Sequence, residues 1–178
     1  MRRIIYISGG QRSGKSNFAQ NMAESLSSKP TYLATARCWD KEFEQRIARH
    51  KASRDERWNN IEEERFISKL HLDNEVVLMD CVTLWLTNIF CDNDYNLQQS
   101  LDEAKREWDL FINREFTLIV VSNEIGLGVV PMESSTRAFV DLQGWMNQHI
   151  ASTAEEAYTV ISGIPVKIKG ITPIVIRR

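Results

Sequence analysis

A chain of 178 residues, 43% hydrophobic and 26% charged, suits one domain, residues 1–178, with a sizeable core and the composition of an ordinary soluble protein. Its formal net charge of -2 gives no positive field for nucleic acid or an anionic membrane, so a polyphosphate would have to be held by local groups. Cys38, Cys81 and Cys91 show no CxxC spacing, and neither a secretory signal nor a membrane-length apolar run is evident, which points to a cytoplasmic location, no membrane span and no zinc site.

The chain begins with Arg3-Ile4-Ile5-Tyr6-Ile7, a short apolar run of the kind that forms a buried parallel strand. Ser8-Gly9-Gly10-Gln11-Arg12-Ser13-Gly14-Lys15-Ser16 follows and contains the phosphate-loop pattern G-x-x-x-x-G-K-S. Beyond it Ala19, Met22, Ala23 and Leu26 recur at helical spacing, so strand, loop and helix stand in the order the motif requires. In such a loop the backbone N–H groups and the helix dipole cradle phosphate oxygens. Lys15 would reach the outer phosphates, and the Ser16 hydroxyl would be a ligand of Mg2+.

Residues 31–35, 76–80, 116–122 and 157–162 read as further strands alternating with helical patterns. Alternation of this kind implies an α/β fold, P-loop NTPase-like, with a mostly parallel central sheet, helices on both faces, and ligands beyond the carboxyl ends of the strands. A helical stretch over residues 40–51 carries Phe43 and Ile47 on its ridge and His50 at the ridge's border. On these residues alone His50 reads as a packing residue or part of a solvated basic face. Arg46, Arg49, Lys51 and Arg54 around it would also favour a neutral, nucleophilic imidazole.

Residues 76–80 end in Asp80, the position of a carboxylate that organises Mg2+ beside a phosphate loop. The next stretch is apolar around most of a helix, with Leu84, Trp85, Leu86 and Ile89, and fits either core or a subunit contact. A long amphipathic helix carries Leu101, Ala104, Trp108, Phe111 and Ile112. Strand 116–122 leads into Ser122-Asn123-Glu124-Ile125-Gly126-Leu127-Gly128, in which Asn123 and Glu124 form a candidate acceptor or catalytic loop; Glu124 could orient a nucleophile or a metal-bound water, or be a turn carboxylate with no role. Ser134 or Ser135 would cap a last helix bearing Phe139, Leu142, Met146, His149 and Ile150. A strand, a turn at residues 163–165 and a lysine-bearing antiparallel edge strand close the chain. Cys81 and Cys91 read as buried apolar residues, and His71 and His149 as surface or packing residues.

With these segments in place, the chain resembles the bifunctional adenosylcobinamide kinase/adenosylcobinamide-phosphate guanylyltransferases. The resemblance rests on the phosphate loop from Gly9 to Ser16, Tyr32-Leu33-Ala34-Thr35-Ala36, Arg46-Ile47-Ala48-Arg49-His50, Asp80-Cys81-Val82-Thr83 through Thr87-Asn88, the loop from Ser122 to Pro131, and Gly144-Trp145-Met146-Asn147-Gln148. It implies phosphorylation of adenosylcobinamide by ATP or GTP, then transfer of GMP from GTP to adenosylcobinamide phosphate through a covalent histidine–GMP at His50. It also implies nucleotide contacts at Thr35, Ala36, Arg37, Lys51, Ala52, Ser53, Arg54, Glu62 and Thr83, and a homotrimer. A P-loop kinase for another small alcohol and a nucleotide-binding switch remain alternatives on the phosphate loop alone.

Overall fold

The computed structural model describes residues 2–38, 54–72 and 76–170. The expected helix over residues 40–51, with His50, Lys51, Ala52 and Ser53, and the tail from Ile171 to Arg178 lie outside the described residues.

Among the described residues, seven strands form one sheet: β1 (Arg3–Gly9), β2 (Thr31–Ala34), β3 (Asn59–Glu62), β4 (Val76–Asp80), β5 (Thr117–Asn123), β6 (Glu156–Ile161) and β7 (Ile164–Lys169). Their order is β3-β2-β4-β5-β1-β6-β7, with β7 antiparallel to β6 and every other pairing parallel. The helices are α1 (Lys15–Leu26), α2 (Val82–Asp92), α3 (Leu97–Phe111) and α4 (Ser134–Thr153). The α/β fold with a mostly parallel sheet and an antiparallel carboxyl-terminal edge is thus the one expected.

The strands are apolar throughout because both faces are covered, and side chains alternate between those faces. Ile4 and Tyr6 of β1, Met79 of β4 and Val120 of β5 pack with Trp85, Leu86 and Ile89 of α2, Trp108 of α3 and Met146 of α4. Ile5, Ile7, Leu78, Ile119 and Val121 face the other way, onto Ala19 and Ala23 of α1. Trp85, Leu86 and Ile89 are fully buried inside the chain, so this part of α2 is core rather than subunit contact. Helix α3 begins at Asn96, whose side-chain oxygen accepts from Gln99 N at 3.0 Å.

Four local expectations change. β3, Asn59–Glu62, has the sequence Asn-Asn-Ile-Glu with no apolar alternation; it forms because Asn59 N donates to Pro30 O and the strand pairs with β2. The chain enters α4 in extended backbone at Glu133, so Ser134 is the first helical residue and no side-chain cap bond is made. Ser162 and Gly163 alone, at φ 52 and 83, make the β6–β7 turn, and Ile164 and Pro165 already belong to β7. Two left-handed residues are what a tight hairpin needs, and Pro165 is tolerated because β7 is an edge strand. Cys81 is buried as expected, but Cys91 is only partly so.

Lysines guard that edge by specific pairings. Lys169 Nζ donates to the Ala151 and Ser152 carbonyls at the end of α4, and Lys167 Nζ meets Glu156 at 2.8 Å. Glu156 also accepts from Arg3 on β1. These bonds, Lys167's first and Arg3's second, hold the Glu156 carboxyl down at about 2.

Two outcomes test this packing. Trp85→Ala removes a fully buried indole whose Nε1 donates to Arg65 O at 2.8 Å, and should cost about 3–5 kcal/mol in urea denaturation. Because Glu156 has its folded pKa depressed, its stabilisation is present above the unfolded value and is lost as pH falls toward about 2. The stability gap between wild type and Glu156→Gln, read from urea midpoints, should therefore narrow on acidification and stay flat above about pH 6.

Candidate active site

Parallel pairing places the carboxyl ends of six strands along one edge of the sheet. The register sets Gly9 opposite Asn123 and Val160, and Ala34 opposite Asp80 and Glu62. β5 lies between β1, which delivers the phosphate loop, and β4, which delivers Asp80. Asn123 and Glu124 thereby fall between the two.

The phosphate loop is tightly constrained. A Cβ on Gly9 would lie 2.6 Å from Val160 O, and Gly14 has φ +95 and would bring a Cβ to 3.2 Å from Gly163 Cα. Only glycine fits either position. Ser13 N donates to Gly10 O at 3.2 Å, and Gly163 N in the β6–β7 turn donates to Ser13 O at 2.8 Å, so the hairpin buttresses the loop. Arg12 adopts a left-handed φ of 57, and its side chain, like Gln11, is exposed. Lys15 is 8% exposed and its Nζ donates to Gly10 O at 3.0 Å. Burial pushes the Lys15 ammonium pKa down, against the opposing field of Asp80. Ser13 Oγ is buried with no partner among the described residues.

Asp80 is half-buried at the end of β4, where its Oδ2 accepts from Tyr32 OH at 3.1 Å. The Arg54 guanidinium stacks 3.5 Å above the Tyr32 ring, with Nε donating to Asn60 Oδ1 and Nη1 buried without a partner among the described residues. Burial and the neighbouring Asp80 charge raise the Tyr32 phenol pKa, keeping it a donor. Thr35 is fully buried; its hydroxyl donates to Cys81 O and accepts from Cys81 N, fixing the entry to α2. That hydroxyl is taken up within the protein, so a nucleotide contact at Thr35 would involve other atoms. Burial, then Asp80, drives the Cys81 thiol up to about 12, which leaves it an inert core group.

Thr83, in the first turn of α2, accepts from both the backbone N and the Nδ2 of Asn123, at 3.1 and 3.0 Å. Its hydroxyl positions Asn123. Glu124 N donates to Gly9 O at 3.1 Å, tying the end of β5 to the start of the phosphate loop. The Glu124 carboxylate accepts from Tyr6 OH and from Asn147 Nδ2.

Two expected contacts sit differently. The Arg37 guanidinium pairs with Glu64 and, through two nitrogens, with Asp92 at the end of α2, and these bonds raise its pKa. Asp92 in turn binds Arg65, whose fork also holds Glu103. Arg37 thus braces the loop after β2 against α2, while Ala36 before it is half-buried. Glu62 is exposed at the end of β3, whereas its neighbour Glu63 caps a local turn by accepting from Arg65 N and Phe66 N.

No group of three or more His, Cys, Asp and Glu side chains forms a metal-holding cluster among the described residues. Asp80 and Ser16 supply hard oxygen donors, both half-buried. That set fits a Mg2+ ion whose remaining ligands are phosphate oxygens and water. His149 pairs with Asp109 at 2.8 Å and His71 is exposed, each serving the surface as expected. The residues that sequence reasoning missed are Tyr6, Tyr32, Gln143 and Asn147. Tyr32 and Asn147 lie inside motifs noted above for resemblance but had been given no role.

The model of the family described as cobinamide kinase / cobinamide phosphate guanyltransferase matches residues 5–168. The chain is 39% identical over 171 residues to the bifunctional adenosylcobalamin biosynthesis protein CobP of Pseudomonas aeruginosa, spanning 92% of this chain and 96% of that one. It is 36% identical over 187 residues to the bifunctional adenosylcobalamin biosynthesis protein CobU of Escherichia coli, spanning 93% and 99%. Among solved structures it is similar to the flagellar accessory protein FlaH of Methanocaldococcus jannaschii at 16% identity and a TM-score of 0.45, over 94% of this chain and 78% of that one. That last likeness is too low to add to the topology. A family match over nearly the whole chain and two full-length relatives above 30% identity agree: the chain belongs to the cobinamide kinase / cobinamide phosphate guanyltransferase family of transferases.

Proposed function

We propose that this chain acts as one domain in the cytoplasm, phosphorylating adenosylcobinamide with ATP or GTP and then transferring GMP from GTP to adenosylcobinamide phosphate. The observation that carries the reading is the juxtaposition, on one sheet edge, of a buried Lys15, the Asp80 carboxylate and the Asn123-Glu124 pair. Family membership supplies the acceptor.

In the first reaction the loop from Gly9 to Ser16 holds the triphosphate, with Lys15 neutralising charge on its outer phosphates as the bond to the leaving phosphate breaks. Ser16 and Asp80 would hold Mg2+, which offsets phosphate charge when bound. Glu124 accepts the proton of the acceptor hydroxyl as its oxygen bonds to the γ-phosphorus. Asn123, fixed by Thr83, offers a second polar contact beside it.

In the second reaction the His50 imidazole attacks the α-phosphorus of GTP. A nitrogen–phosphorus bond forms, the bond to the bridging oxygen breaks and pyrophosphate leaves. A phosphate oxygen of adenosylcobinamide phosphate then displaces the imidazole. Lys51, Ala52, Ser53, Arg54 and Glu62, with Thr35, Ala36 and Arg37, are proposed to line this nucleotide's path. Arg54 Nη1, which has no partner among the described residues, supports a phosphate clamp there. The homotrimer is also a proposal, since the apolar face of α2 that suggested a subunit contact is internal core.

Two measurements check these roles. Lys15→Ala should lower kcat for cobinamide phosphorylation by about 100-fold or more while the urea midpoint does not fall. Incubation with Mg2+ and GTP labelled at the α-phosphate should give acid-labile, alkali-stable label on the polypeptide, lost in His50→Ala. Folded protein that binds GTP but takes up no label would remove His50 as nucleophile and favour a plain P-loop kinase.

A further inference from the structure

Helix α4 carries two buried amides one turn apart, Gln143 at 1% and Asn147 at 6% exposure, beside its apolar ridge of Leu142, Met146 and Ile150. Polar groups this deep are costly unless hydrogen-bonded. Asn147 makes bonds on both edges. Its Oδ1 accepts from Ser122 Oγ at 2.6 Å and from Gln143 Nε2 at 2.9 Å. Its Nδ2 donates to Asn123 O at 3.2 Å and to Glu124 Oε1 at 3.0 Å. A backbone carbonyl and a carboxylate only accept, so the amide edge facing them must be the NH2. The orientation of Asn147 is thereby fixed, and Gln143 with Ser122 fixes it again from behind.

The consequence falls on Glu124. Its Oε1 is held from β1 by Tyr6 OH at 3.3 Å and from α4 by Asn147, while its backbone N is tied to Gly9 O. Burial first, and the Glu124 charge second, raise the Tyr6 phenol pKa, so Tyr6 stays a donor. Among the described residues, Glu124 Oε2 takes no hydrogen bond, and it sits at the carboxyl edge between the phosphate loop and Asp80. One oxygen is anchored by two donors and the other is left for a ligand.

We infer that Asn147 is a positioning residue for phosphoryl transfer: it locks Glu124 Oε1, backed by Gln143 and Ser122, so that Oε2 faces the acceptor hydroxyl. This rests on the proposed role of Glu124. Asn147 touches no substrate, so its effect belongs in kcat rather than in the KM for nucleotide.

The test compares Glu124→Gln, Asn147→Leu and Asn147→Asp in cobinamide phosphorylation, with urea midpoints and nucleotide binding as checks of folding. Glu124→Gln should lose about 100-fold or more in kcat, the effect of removing a general base. Asn147→Leu should lose about 10- to 100-fold in kcat with an unchanged nucleotide KM, by analogy with other small misplacements of catalytic groups. Asn147→Asp retains the two acceptor bonds to Ser122 and Gln143 but can donate to Glu124 only when protonated. Its kcat relative to wild type should therefore rise as pH is lowered from about 8 to about 6, a rescue that a merely structural asparagine would not show. A fully active Glu124→Gln would overturn the role of Glu124 and the inference with it. If Glu124→Gln is inactive but Asn147→Leu is within about twofold of wild type, or Asn147→Asp tracks the wild-type pH profile, the positioning role fails while that of Glu124 stands.

Discussion

A buried lysine, Lys15, whose ammonium is drawn toward the loop, is the constraint on which the rest of this structure depends. A buried cation costs several kcal/mol unless compensated, and here one carbonyl bond and the field of nearby groups, Asp80 among them, offset part of that cost. A cation compensated only in part is suited to an anionic ligand such as a phosphate. The glycines follow from the same need: Gly9 passes so close to β6 that a side chain would clash, and Gly14 holds a left-handed φ that side chains rarely adopt. The turn itself, through Gly163 N on Ser13 O, keeps the loop in the curl that phosphate binding requires.

The strand order gathers the candidate catalytic groups beside that lysine. With β5 interposed between β1 and β4, the residues that follow β5 stand beside the phosphate loop and not at the margin of the sheet. Three elements then fix Glu124: β1 through Tyr6, the phosphate loop through Gly9, and α4 through Asn147. A second arm reaches from β2, where Tyr32 holds Asp80 and supports the Arg54 guanidinium. Both arms use a tyrosine whose phenol is kept protonated by burial and a neighbouring carboxylate. Rigidity of this kind is what positioning and electrostatic catalysis require.

The parts of the site that are contiguous in sequence were legible there. The phosphate loop and the strand ending in Asp80 are local patterns, and the structure builds both as read. β3 was not legible, because Asn59-Asn60-Ile61-Glu62 has no apolar alternation and its strand exists only through pairing with β2. Nor was the interposition of β5, since strand order is set by how helices cover the sheet and not by any local run. Leu84 to Ile89 fits core and subunit contact equally well in sequence; the sheet and α3 cover its Trp85, Leu86 and Ile89. Gln143 and Asn147 left a faint signal, two amides at i and i+4 beside an apolar ridge, but only the end of β5 underneath gives them a purpose.

The central claim is that this carboxyl edge brings acceptor hydroxyl, Glu124 and terminal phosphate together. A crystal structure of the protein with Mg2+, a non-hydrolysable ATP analogue and cobinamide would test it most directly. The account predicts the aminopropanol hydroxyl within about 3 Å of Glu124 Oε2 and in line with the γ-phosphorus over Lys15. A hydroxyl bound away from Glu124, with the triphosphate still seated in the loop, would contradict it.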